Sequence, residues 1–277
     1  MSNEKKFRVN KRRHDSVPYN FQLSAPMKTT ATSAVRQFQC EKCPLQDFPH
    51  FQPHEKEELE FLSGFKTGEL VADAGTTFLV EGANSAHLFS VLSGWAFRYK
   101  TLEDGRRQIL NYVLPGDLIG LQGSLMKEMQ HSIEAMSPVI LCVFQRDKLP
   151  NLFRSFPSLA YDITWLASRE EQMLDEILLS IGRRTALERT AYLFAFIFQR
   201  AKSVGMVKNN KLFVPLKQQH VADTLGLSIV HTNKTLKKLA ARGALRWVDR
   251  GCEVLDEAIL MDISGWQGLT KVPRPFI

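Results

Sequence analysis

The chain has 277 residues, 44% of them apolar and 23% charged, enough for a substantial core and about two domains of ~100–200 residues each. Its longest apolar run, residues 191–198, is far short of the ~20 residues a membrane helix needs, the N-terminus lacks the apolar stretch of a secretory signal, and four cysteines do not make a disulfide scaffold. These exclusions lead us to expect a soluble, cytoplasmic protein without a membrane partner. The net charge of +7 is unevenly spread. Residues 1–37 carry eight Lys/Arg against two acids, residues 38–180 twelve against twenty, and residues 181–247 thirteen against two. A mildly acidic module followed by a strongly basic one suggests a regulatory half and a polyanion-binding half.

Residues 1–37 hold Lys11, Arg12 and Arg13 in a run, followed by Ser, Thr and Pro. They have too little apolar surface to offset ordering entropy, so a disordered basic arm is expected there. From about 66 to 149, apolar stretches at 77–80, 88–92, 96–99, 109–113 and 139–144 alternate with glycine turns at Gly75, Gly82, Gly94, Gly105 and Gly116. This spacing predicts an antiparallel roll or barrel, with Asp104-Gly105 at the tip of a hairpin. Beyond Pro157, Leu159, Ile163, Leu166, Met173 and Ile177 recur at steps of three and four, with Glu170 interrupting the stripe. They predict a long helix that starts at Pro157, stops near Gly182 and pairs with its copy in a dimer through this seam, or packs on its own domain. A second helix with a broad apolar face is expected over 183–202.

Residues 216–245 carry the most specific pattern. A short helix over 216–225, a Gly226-Leu-Ser228 turn with Ser228 as N-cap, and a helix over 229–242 closed by Gly243 have the apolar spacing of a helix-turn-helix, at Val221, Leu225, Leu227, Leu236 and Leu239. Residues 244–255 read as a hairpin wing. The second helix carries Lys234, Lys237 and Lys238 and no acid, as a helix lodged between DNA phosphates requires. No Walker loop, G-x-S-x-G or Rossmann fingerprint is present, so no enzyme is expected.

With Ala74-Gly-Thr-Thr-Phe-Leu-Val-Glu-Gly82, Leu88-Phe-Ser-Val-Leu-Ser-Gly-Trp95, Pro115-Gly-Asp-Leu-Ile-Gly120 and the Gly226-Leu-Ser228 turn, the sequence resembles the CRP/FNR-type transcription regulators from about residue 38 to 258. The resemblance implies an α+β chain: a cyclic-nucleotide-binding-like β-roll (38–155), a dimerisation helix (156–182), a winged helix-turn-helix (183–258) and a tail (259–277). It further implies a cytoplasmic homodimer on a pseudo-palindromic site in double-stranded DNA, contact with RNA polymerase as an activator, and a signal received at the roll. By alignment of the turn, Ile229, Val230, Asn233 and Lys234 would read bases, with Lys217, Ser228, His231, Thr232, Lys237 and Lys238 on phosphates. Asn233 is the candidate for an adenine edge.

Cyclic-nucleotide members carry an Arg-Ser pair after the Pro-Gly-Asp/Glu-Leu turn; here Gln130-His131 stands roughly in that place, and no Arg lies between Arg107 and Arg146, so cAMP is not expected. In the oxygen-sensing branch, N-terminal cysteines and one distant cysteine ligate an iron–sulfur cluster. Cys40, Cys43 and Cys142 fall on three of those positions, and the remaining N-terminal cysteine is missing. An iron–sulfur cluster completed by Asp47 or His50, a thiol redox switch, a zinc half-site and an inert packed role all stay open for these residues. A rival reading is a cyclic-nucleotide-responsive module that acts through protein contacts; residues 216–255 argue against it.

Overall fold

Period-two alternation along the predicted strands decides how the roll is built. The structure, a computed structural model, describes residues 39–269 and 272–277, all within one unit spanning residues 36–277. The basic arm expected over 1–37 lies outside the described residues. After two short 3₁₀ turns (Cys40–Lys42 and Pro44–Asp47) come helix α1 (Lys56–Phe65) and strands β1 (Lys66–Ala72), β2 (Thr77–Leu79), β3 (His87–Ser93), β4 (Ala96–Thr101), β5 (Arg107–Val113) and β6 (Leu118–Ile119). A short helix α2 (Leu121–Met126), β7 (Ser132–Ala135) and β8 (Val139–Gln145) complete the roll. One antiparallel sheet runs β1-β8-β3-β6 and the other β2-β7-β4-β5. Phe89, Val91, Val139 and Leu141 of the first sheet and Ala96, Val113, Ile133 and Ala135 of the second form the inner core. Their neighbours Leu88, Leu92, Cys142, Phe144 and Phe97 point outward into the larger core, as alternation requires. The Asp104-Gly105 hairpin forms as expected, closed by Leu102 N–H donating to Arg106 O at 2.9 Å.

Helices α3 (Leu149–Ser155) and α4 (Pro157–Arg183) follow, with Pro157 opening α4. Gly182 does not end α4; the break falls at Arg184-Thr185, where Thr185 and Glu188 form a capping box that starts α5 (Ala186–Ser203). Leu159, Ile163, Leu166 and Met173 are buried in this chain's own core and Ile177 is half-buried. That corrects the expected seam: the stripe is buried within this chain, where α4 packs on α3, α5 and strand β5 of the roll. The large apolar residues that α4 exposes are Tyr161, Leu178 and Leu179. Glu170, the apparent interruption, pairs with Arg98 of β4.

Strand β9 (Leu212–Val214), α6 (Gln218–Leu225), α7 (Ile229–Ala241), β10 (Leu245–Val248), β11 (Gly251–Val254) and α8 (Glu257–Ser264) complete the chain. The wing has three strands, ordered β10-β11-β9, and Gly251 is required where a Cβ would stand 2.4 Å from Val214 O. The expected tail is partly helical. Asp256 caps α8, Trp266 packs edge-on to Tyr192 of α5, and the last residues return to the N-terminal side. There Phe51 bridges to Arg274 and His54 Nε2 meets Phe276 O at 2.8 Å.

Candidate nucleic-acid interface

The helix pair is set by its turn. Gly226 takes the left-handed conformation, φ +60°, that ends α6 and turns the chain, and Ser228 caps α7 by accepting from His231 N at 3.2 Å. Thr232, Thr235, Leu236 and Leu239 form the buried side of α7. The opposite side presents Val230, Lys234, Lys237 and Lys238 to solvent at helical spacing, with Ile229 and His231 exposed at the start. Val230 is 75% exposed, so an isopropyl group stands free where core packing cannot explain it. Lys217 and Ser228 are exposed beside this face.

Two expected site residues differ. Thr232 is fully buried and cannot meet a phosphate; it lies four and seven positions from Leu236 and Leu239, on the core side of the helix. Asn233 is half-buried, its Oδ1 enclosed without a hydrogen-bond partner among the described residues, so its amide must turn outward before it can pair twice with a base.

The first helix is fastened to the roll. Arg107 of β5 donates from Nε to Asp223 at 2.9 Å, also pairs with Glu134, and lies over the rings of Phe97 and Tyr99. Tyr112 Oη and Thr224 Oγ1 are 2.8 Å apart, and His220 packs on Phe97. Burial, helped by Arg107 and Lys217, pushes the His220 pKa down to about 4, and its Nδ1 accepts from Lys217 N, which fits a neutral ring.

A cavity of about 120 Å³ between the roll and α4 is lined by Arg98, Gly120, Gln122, His131, Leu166 and Glu170. Arg98 is occupied by Glu170, and burial next to Arg98 and Lys100 pushes His131 down to about 3. Gln130 points elsewhere, donating to Glu128 O. Arg98 Nε is enclosed in this cavity without a hydrogen-bond partner among the described residues.

Cys40 and Cys43 sit half-buried on the 3₁₀ turns, against the same core that Cys142 enters from β8, close enough for their charges to interact. Burial pushes the thiols up, Cys43 to about 11 and Cys142 to about 12, and Cys40 is raised as well. Among the described residues no group of three or more Cys, His, Asp or Glu is arranged to hold a metal, and Asp47 and His50 are exposed rather than turned to the thiols. Three thiols without a fourth donor among the described residues do not make the usual four-ligand set of an iron–sulfur cluster. Cys252 is buried in the wing.

Residues 69–156 match the family model of the cyclic nucleotide-binding domain, and residues 188–263 that of the Crp-like helix-turn-helix domain. The chain is 32% identical over 187 residues to the nitrogen fixation regulation protein FixK of Bradyrhizobium diazoefficiens, a match covering 67% of this chain and 77% of that relative. It is 27% identical over 230 residues to the transcriptional activator protein FnrL of Cereibacter sphaeroides, covering 82% and 92% of the two chains. In fold it is similar to the solved structure of FixK2 from Bradyrhizobium japonicum, with TM-score 0.62, 23% identity and coverage of 70% of this chain and 96% of that one.

Proposed function

The chain belongs to the CRP/FNR family of DNA-binding transcription regulators, and from that premise we propose that it acts in the cytoplasm as a homodimer, placing one α7 in each major groove of a pseudo-palindromic site. The observation that carries this reading is the exposed, acid-free face of α7, with Val230, Lys234, Lys237 and Lys238 in line. Lys237 and Lys238 neutralise phosphates together with Lys217, Ser228 and His231, while Ile229, Val230, Asn233 and Lys234 face the base edges. Valine offers an apolar surface to a thymine methyl, and lysine keeps a donor for guanine without the planar fork of arginine.

The dimer seam we propose is the one α4 leaves uncovered: Ala167, Glu171, Leu174, Leu178 and Ile181, at alternating steps of four and three, all exposed or half-buried. The chain performs no chemistry of its own. It passes a signal from the roll to DNA and, as an activator, to RNA polymerase. The pairing of Arg98 with Glu170, and the Gln130-His131 that stands roughly where cyclic-nucleotide members carry an Arg-Ser pair, favour a signal other than cAMP at the roll.

A binding selection on randomised duplex DNA tests the reading. The wild type is expected to enrich a two-fold symmetric motif with half-sites one helical turn apart, and Asn233→Ala to relax one position per half-site by ~1–3 kcal/mol. Enrichment of no motif would overturn the assignment of α7, and an unchanged motif in Asn233→Ala would remove that residue from the base-reading set.

A further inference from the structure

Beside the cavity already described lies a second one, built where four distant parts of the chain meet: the Pro115-Gly-Asp117 turn, α4, α5 and the C-terminal segment. It contains room of about 30 Å³, and it is lined by Arg169, Arg200 and Arg274 with Asp117 and Glu170. The charges around it do not balance. Asp117 commits one carboxylate oxygen to Arg200 at 2.5 Å and the other to Arg274 at 3.1 Å. Glu170 is held by Arg98. Among the described residues, Arg169 therefore borders the cavity with no carboxylate of its own, beside the Trp165 ring at 5.7 Å. Four guanidinium groups share two carboxylates. Burial and the nearness of Arg200 and Arg274 press the Arg169 pKa below its ordinary value, an effect that the carboxylates of Asp117 and Glu170, each engaged with another arginine, offset only in part. Independently, Arg274 Nε is enclosed and has no acceptor among the described residues, although the same side chain bonds Gly116 O at 2.7 Å.

We propose that this cavity binds a small oxyanion of the phosphate or sulfate type. A tetrahedral oxyanion presents acceptors in several directions, and guanidinium forks are suited to take them up in pairs. The volume is that of about two waters or one such ion, given that a single water needs ~10–15 Å³; a nucleotide does not fit. The bound ion would join α4, α5 and the C-terminal segment, since one arginine comes from each of those three pieces, and Arg200 and Arg274 in turn hold Asp117 of the roll turn. It would thereby tie the roll to the helices that carry the helix-turn-helix. The site is separate from the DNA-facing lysines of α7, so it stands or falls apart from the DNA-binding reading.

The test is isothermal titration calorimetry of the full chain with sodium phosphate and sodium sulfate, against sodium chloride at matched ionic strength. One oxyanion per chain is expected, at least tenfold weaker in Arg169→Gln and unchanged in a Lys237→Ala, Lys238→Ala double variant. Arg169→Glu supplies the missing carboxylate from within the chain; it is expected to fold without phosphate and to bind none, which keeps the test decisive if Arg169→Gln is unstable. Heat from phosphate no greater than from chloride would overturn the site. So would binding that survives both Arg169 variants but disappears with the two lysines, since the ion would then be on α7.

Discussion

Replacing Asp117 by asparagine removes the carboxylate that pairs with two arginines inside the protein. Asp117 is 6% exposed and accepts from Arg200, from Arg274 and from Leu114 N at 2.8 Å. Burial by itself would raise its pKa, but the two guanidinium groups and the Leu114 amide hold the carboxyl below the usual range. Taking away one partner of a buried pair leaves the other charges uncompensated, at a cost of ~3–5 kcal/mol. For a unit of this size each 1 kcal/mol lowers Tm by ~2–4 °C, so Asp117→Asn is expected to melt ~6–20 °C below wild type. Urea unfolding followed by tryptophan fluorescence and circular dichroism gives the free-energy gap directly. The sign of its pH dependence is fixed by the lowered pKa. The carboxylate's contribution is fully present above the unfolded-state value of ~3.9 and is lost as pH falls through the folded value. The gap between wild type and variant should therefore stay constant from about pH 7 to 5 and narrow as pH falls below the unfolded-state value of ~3.9. A gap under about 1 kcal/mol at pH 7, or one that does not narrow in acid, would refute the clamp.

Three further outcomes follow from the same geometry. His220, 6% exposed and with its pKa pushed down to about 4, favours folding fully above pH ~6.5; its contribution of roughly 3 kcal/mol falls away as pH drops to about 4, and His220→Gln should flatten that part of the stability profile relative to wild type. Leu178→Glu, at a position 72% exposed, is expected to give a folded monomer in sedimentation velocity, whereas Leu166→Ala, 6% exposed, should cost ~2–5 kcal/mol of stability; a dimeric Leu178→Glu would move the seam elsewhere on α4. Burial holds the Cys142 thiol near 12, so a thiol reagent at neutral pH should modify Cys142 only after unfolding; rapid modification of the native protein, or iron and sulfide in anaerobic preparations, would contradict the packing of the cysteines.

What the sequence made legible was local. Glycines at turns, Pro157 at the head of α4, Ser228 as a cap and the Asp104-Gly105 hairpin each act within a few residues, so their signatures survive without tertiary information. The α4 stripe shows the limit: periodicity identifies a face to be covered but not what covers it, and here elements of the same chain do. Thr232 could have been placed correctly, because its spacing from Leu236 and Leu239 already puts it on the inner side. Helix α1 was equally readable, from Glu55 and Glu58 in a capping box ahead of Leu59, Leu62 and Phe65. The return of the C-terminal segment was not. Arg274 meets Asp117 across 157 positions, and no local pattern encodes such a contact.

The central claim, that the exposed lysine face of α7 is what meets DNA, is tested most directly by the salt dependence of binding. Fluorescence anisotropy with a selected duplex, from about 50 to 200 mM salt, gives the slope of log K against log salt. Each phosphate that is no longer neutralised reduces that slope by ~0.9, so Lys237→Ala, which removes one lysine from each α7 of a dimer, should flatten it by about 2 and weaken all sequences alike. A slope identical to wild type in Lys237→Ala, with folding intact, would contradict the claim.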